Sequence, residues 1–167
     1  MDQRPAIVEE RVRFGDFEAD LMIGSKTGCP LFVLTDRASR YTKIQKLPSK
    51  GATPVVQAVL ENIREIGPQL MKTIPFDHGL ELAKHHLIKQ QFGIETYFTR
   101  PYSSQEKGTV ENRIGVLRRW FTKGESMDDD TNQEIQIIED KINNRGVRKF
   151  DDKFNDLVQH KTPYLMV

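Results

Sequence analysis

The sequence predicts an α/β fold, a five-stranded mixed sheet flanked by helices, from three observations. Three short segments rich in β-branched and aromatic residues follow one another near the N-terminus, separated by turn residues. Two further strand-like runs then alternate with segments of helical periodicity. The length, 167 residues with 37% hydrophobic, suits one domain with a real core. No apolar run reaches the roughly 20 residues of a membrane-spanning helix, and the opening stretch lacks a signal-peptide pattern. A cytoplasmic protein with no membrane partner is therefore expected. Cys29 is the single cysteine, so it has no intrachain disulfide partner.

The first three strands run from Phe17 to Gly24, Leu31 to Asp36 and Tyr41 to Leu47, punctuated by Gly28, Pro30 and Ser39. This reads as a meander. Thr53-Pro54 then supplies an N-cap and a first-turn proline, and Val55, Val56, Val59, Leu60, Ile63 and Ile66 recur at helical spacing until Gly67-Pro68 stops them. Thr73 to Asp77 reads as a fourth strand, Gly79 to Phe92 as a helix ended by Gly93, and Ile94 to Thr99 as a fifth strand. In the helix from Lys107 to Phe121, Val110, Ile114, Leu117 and Phe121 form one apolar stripe, with Glu111 at its border. Trp120 and Phe121 count as core. A last helix opens at Thr131 with Glu134 three residues on, a capping box, and carries Ile135, Ile138 and Ile142 inward. The order is βββαβαβα plus a terminal helix. The catalytic-core candidate spans residues 15–145, with an N-terminal tail at 1–14 and a C-terminal tail or helix at 146–167.

Net charge is only +1, but its distribution is uneven. From Asp36 to Lys50 five basic residues (Arg37, Arg40, Lys43, Lys46, Lys50) stand against one acid, whereas Glu125 to Asp140 holds seven acids and no base. Such runs usually form solvated faces; a basic hairpin beside an acidic site also suits a phosphate backbone. Among the acids, Asp20 sits inside the first strand, Asp77 closes the fourth, and Glu111 lies in the opening turns of a helix. Carboxylate oxygens are the ligands Mg²⁺ and Mn²⁺ prefer, and a pair of such ions clamps the attacking and leaving oxygens in phosphoryl transfer. With 24 acidic residues any three can be picked out, and surface charge or helix capping is the commoner explanation.

The text around these residues is more specific. GDFEADLMIG, TIPFDHGLEL and RPYSSQEKGTVENRIGVLRRWF resemble the three catalytic blocks of transposases and integrases with the retroviral-integrase fold. The chain is most similar to the insertion-sequence thirty family of bacterial DDE transposases. In that family, blocks of the form G-aromatic-E-x-D, F-D-N-G-x-E-F and P-Y-S-x-x-x-x-G-x-x-E-N carry two aspartates and a glutamate, which fall here on Asp20, Asp77 and Glu111. Thirty-three residues separate the last two, the family's interval. The resemblance runs from about Arg4 to Arg145 and implies a ribonuclease-H-like fold acting as a transposase catalytic core. It implies metal-dependent DNA strand cleavage and strand transfer at transposon ends, with Mg²⁺ or Mn²⁺, two ions, held by Asp20, Asp77 and Glu111. Asp20 would bridge the ions. The partners implied are DNA, as transposon ends and target, and further copies of the chain in an active homo-oligomer. A plain metal-dependent endonuclease and a decayed DNA-binding remnant are the alternatives.

Some positions depart from the family pattern. His78 replaces its asparagine, and Pro75 stands in a strand where a ladder N–H would be lost. The family's N-x-R-P is Asn143-Asn144-Arg145-Gly146, with Thr162-Pro163 displaced from its usual distance. The family's N-terminal helix-turn-helix is not found, so a fragment or derived gene is expected. Candidate DNA-backbone contacts are Arg37, Arg40, Lys43, Lys107, Arg113 and Arg118, the last seven residues after Glu111 and nearly in line with it. Glu18 and Asp16 share a strand face with Asp20, and Glu18, His78 and Glu81 are candidates to support the metal site from behind. His85-His86 reads as an ordinary polar face, since adjacent helix residues point apart. Asp36 and Glu106 are acids left outside the site.

Overall fold

The computed structural model describes residues 6–76, 88–98 and 107–144. The expected meander forms as β1 (Phe17–Met22), β2 (Leu31–Asp36) and β3 (Thr42–Lys46), all antiparallel. Asp20 stands opposite Val33, and Val33 opposite Ile44. Every residue of β2 is buried, as its LFVLTD sequence leads one to expect of a strand with neighbours on both edges and both faces. β4 (Thr73–Phe76) and β5 (Glu95–Phe98) pair in parallel, with Pro75 opposite Tyr97.

The five strands fall into two sheets that meet where Asp16 bridges Thr73 in parallel. The Lys72 and Thr73 N–H groups both donate to the Gly15 carbonyl there. Gly15 makes this approach possible: its φ is +99°, and a Cβ would lie 2.6 Å from the Leu70 carbonyl oxygen. The spatial order is therefore β3-β2-β1-β4-β5.

Helices cover both faces. α1 (Ala6–Glu10) occupies what reads from sequence as a tail, and its Val8 is fully buried. α2 (Ala52–Ile66) begins earlier than expected, with Gly51 rather than Thr53 as N-cap. The first main-chain bond of the helix runs from Val55 N–H to the Gly51 carbonyl, so Pro54 occupies a position whose missing N–H costs nothing. Residues 88–92 are helical, and Gly93, at φ +70°, ends that segment where expected. α3 (Gly108–Leu117) gives way to turns before Phe121. α4 (Asn132–Asn143) carries the capping box in full, Thr131 and Glu134 each accepting from the other's backbone N–H.

The strand period of two sends Phe32 and Leu34 to one face and Leu31 and Val33 to the other. On the first face they join Phe17, Val59, Ile63, Ile74 and Ile94. On the second they meet Val110, Leu117 and Phe121 with Ile135 and Ile142, and Trp120 packs against this group. Each such large side chain contributes about 1.5–3 kcal/mol by leaving water.

α4 also closes the outer edge of β3. Asn143 accepts from Thr42 N–H at 2.9 Å and donates to its carbonyl at 2.8 Å, while Glu139 accepts from Ile44 N–H at 2.6 Å. Side chains thus replace a neighbouring strand at an edge that would otherwise pair with other chains.

Candidate active site

Asp20 lies on β1 with its side chain about one-third exposed, and its Oδ1 accepts from the Leu21 N–H at 2.9 Å. The Lys107 ammonium, at the head of α3, stands 3.9 Å from the same oxygen. Glu111 is exposed in the first turn of α3, where a negative charge also favours the helix dipole. The first turn of α3 is fastened to β1 by Glu18, two residues before Asp20. Its fully buried carboxylate accepts from the Thr109 and Val110 N–H groups at 2.8 and 2.9 Å through Oε2. Its Oε1 lies 3.0 Å from Arg37 Nη1, an ion pair by proximity rather than an aligned hydrogen bond. Arg37, 1% exposed, reaches on to Glu9 of α1 at 3.3 Å.

The strand of Asp20 and the helix of Glu111 are therefore held together by a buried carboxylate that satisfies two free N–H groups at the helix start. The third candidate, Asp77, and its neighbours His78 and Glu81 lie outside the described residues, as do His85, His86, Glu106 and the 146–167 segment. The described part of β4 runs to Phe76, the residue before Asp77. Among the described residues no three His, Cys, Asp or Glu side chains form a metal-binding group. Asp20 and Glu111 both offer carboxylate oxygens open to solvent, a donor type that fits Mg²⁺ or Mn²⁺.

Two of the basic candidates need correction. Arg37 is interior, paired with Glu18 and Glu9, and does not face a nucleic acid. Lys43 is 7% exposed, with its ammonium 2.6 Å from both Glu65 and Glu139. Burial alone would push that ammonium down, but the Glu139 charge and the two hydrogen bonds outweigh it and hold Lys43 above its ordinary value. In sequence both residues look like part of a solvated basic run, because their partners lie far along the chain. Lys46 likewise donates to the Asp128 and Asp130 carbonyls, so part of the basic run and part of the acidic run face each other.

Arg113 and Arg118 each spend one nitrogen on a backbone carbonyl, of Arg40 and Ile23, both at 2.7 Å. Arg40 is half-buried in the β2–β3 turn. Asp16 is held by Arg13 at 2.8 and 2.9 Å and by the Thr73 hydroxyl at 2.9 Å. Asp36 accepts from Gly15, Ala38 and Ser39 in a buried turn, and burial pushes its carboxyl up despite those bonds. It is a structural residue.

Glu139 and Asn143 are not identified from the sequence. The available signal is spacing: Glu139 lies four residues from Ile135 and Asn143 four further on, which sets both beside the inward stripe of α4.

No protein-family model matches the chain. Among curated proteins it is similar to the transposase for insertion sequence element IS4351 of Bacteroides fragilis, 36% identical over 97% of this chain and 51% of that protein. It is similar to transposase InsI for IS30A of Escherichia coli K12, 33% identical over 86% of this chain and 37% of the relative. A probable transposase for IS1161 of Streptococcus salivarius is 37% identical over 89% of this chain and 42% of its own length. The chain thus spans about half or less of the length of these relatives.

Among solved structures it resembles the simian T-cell lymphotropic virus intasome, with a TM-score of 0.70 and 17% identity over 93% of this chain and 58% of that one. The catalytic core domain of BIV integrase follows at 0.63 and 17%, covering 91% and 99%. The HTLV-2 integrase catalytic core, solved with magnesium in a dimeric form, stands at 0.58 and 15%, covering 84% and 94%. These likenesses show the fold: the expected ribonuclease-H-like architecture of integrase cores.

Proposed function

The chain is a homologue of the insertion-sequence transposases of the IS30 type, and from that premise we propose that it is the catalytic core of a transposase. It would cleave DNA strands at transposon ends and join them to target DNA by in-line displacement at phosphorus. The observation that carries this reading is the Glu18 anchor, which ties the helix of Glu111 to the strand of Asp20. A second offset supports it: Asp16 bridges Thr73, and Asp20 and Asp77 each lie four residues further on. A continued parallel register sets such residues side by side.

Asp20, Asp77 and Glu111 would hold two Mg²⁺ or Mn²⁺ ions. When bound, such ions activate a water or a 3′-hydroxyl and neutralise charge at the leaving oxygen. The chain's own residues do the rest. Glu18 orients the Glu111 helix, and the Lys107 ammonium beside Asp20 offers a counter-charge to a phosphate oxygen. Arg113 and Arg118 lie along the same helix and its end, where their charges would help position a DNA backbone without reading its bases. The active species is a homo-oligomer.

The test is incubation of the chain with supercoiled plasmid and with end-labelled duplex. Mg²⁺ or Mn²⁺ should support nicking and joined products, and Ca²⁺ should allow binding with little turnover, since the larger ion holds the reacting oxygens loosely. Cutting without any joined product would reduce the reading to an endonuclease. Equal cutting in chelator would overturn it.

A further inference from the structure

Arg11 and Arg40 are the non-glycine residues with positive φ among the described residues, at +52° and +67°. Left-handed backbone is unfavourable for a side chain with a Cβ, and glycine or asparagine ordinarily takes such positions. An outlier of this kind is a reason to look for function. The two are unusual in a second respect. Of the six described arginines that are not fully exposed, Arg13, Arg37, Arg113 and Arg118 each hold a hydrogen-bond or ion-pair partner. Arg11 and Arg40 hold none among the described residues.

Both lie against α3. Arg11 places a guanidinium nitrogen 3.8 Å from where a Cβ on Gly108, the first residue of the helix, would stand. The Arg40 carbonyl accepts from the Arg113 side chain on the same helix. The pair also repel each other: burial and the neighbouring Arg11 and Arg37 charges lower the Arg40 pKa, and the Glu18 and Asp36 charges offset that only in part. Two half-buried cations with no direct ion-pair partner among the described residues, beside the helix whose first turn carries Glu111, keep their donors for an anion. A guanidinium fork matches a phosphate in geometry and charge.

We propose that Arg11 and Arg40 form a phosphate clamp that grips the DNA backbone beside the Asp20–Glu111 junction. This rests on the proposed function and names which residues hold the strand there. Holding the arginines in left-handed turns aims them at one place, which short turns built on glycine or asparagine would leave bare.

The experiment replaces each with glycine and, as a second pair that also tolerates left-handed backbone, with asparagine: Arg11→Gly, Arg40→Gly, Arg11→Asn and Arg40→Asn. Binding of a 30-base-pair duplex of random sequence is titrated across a salt series, and melting is followed in parallel. Each variant should melt within about 2 °C of the parent or above it, because strain and repulsion are removed. Each should bind DNA roughly tenfold more weakly near 100 mM salt, with the log–log salt slope shallower by about one unit. Arg64→Ala, at an exposed position on α2, should leave the slope unchanged. Inorganic phosphate at the same phosphate concentration should protect the parent far less than duplex, and equal protection would mean a free-anion site and overturn the DNA assignment. Variants with the parent's affinity and slope would overturn the clamp and leave the proposed cleavage untouched. A parent that binds duplex through these arginines but makes no Mn²⁺-dependent cut would overturn the function and keep the clamp.

Discussion

Glu18→Ala should destabilise the domain by about 3–5 kcal/mol, the usual result of removing one partner from a buried ion pair. The structure gives the reason. Two backbone N–H groups at the start of α3, Thr109 and Val110, donate to one carboxylate oxygen at 2.8 and 2.9 Å, and the other oxygen sits 3.0 Å from the interior Arg37. A hydrogen bond to a charged group contributes about 1.5–3 kcal/mol, and two that share an acceptor do not add fully. For a chain of this length each kcal/mol shifts melting by about 2–4 °C, so a loss of roughly 6–20 °C is expected. Glu18→Gln keeps an acceptor without its charge and should lose about half as much. Thermal melting in metal-free buffer reads the total, and amide hydrogen exchange reads the cause: protection at Thr109 and Val110 should fall more than protection in β2. If Glu18→Ala melts within 2 °C of the parent with those two amides still protected, the anchor does not hold α3 to β1.

Three further outcomes follow from the same structure. Lys43 has a raised pKa in the folded state, so its stabilising effect is complete below the unfolded value near pH 10.5 and is lost as pH rises through the folded one. The melting difference between the parent and Lys43→Met should therefore shrink from pH 9 to pH 11.5, by about 1.4 kcal/mol per unit above the unfolded value. Asn143→Ala removes both bonds to Thr42 on the β3 edge and should cost about 1–3 kcal/mol in urea unfolding while raising the tendency to aggregate. Asp36→Asn replaces an acceptor of four hydrogen bonds, one of them from Gly15, and should destabilise by about 1–3 kcal/mol in the same assay without changing metal response.

What could be read from sequence is local. The meander and the capping box at Thr131 and Glu134 depend on residues within a few positions of one another, and they form where expected. α2 starts two residues early because the first turn of a helix has no use for the N–H that proline lacks, which makes Pro54 a loose marker of the boundary. The charges were harder. Glu18 meets Thr109 and Val110 across about ninety residues, and Lys43 meets Glu139 across a similar span. No local pattern encodes such pairs, so Arg37 and Lys43 looked like surface cations. Strand parity sets Glu18 on the same face as Asp20, yet its contact with the helix backbone depends on how α3 docks. The block motifs carry what periodicity lacks, namely which three of 24 acids to propose as the site.

The most direct measurement is the metal response of the three carboxylate variants. Asp20→Asn, Asp77→Asn and Glu111→Gln should each melt at or above the parent in chelator, since neutralising one anion of the proposed cluster would relieve repulsion. Mn²⁺ at about a hundredfold excess over its dissociation constant should stabilise the parent by about 2.7 kcal/mol, roughly 5–10 °C here, and the variants by much less. All three should lose DNA nicking while still binding duplex, and Asp129→Asn, an exposed acid outside the site, should match the parent throughout. If the three variants and Asp129→Asn gain equally from Mn²⁺ and cut equally well, then Asp20, Asp77 and Glu111 are not a metal site.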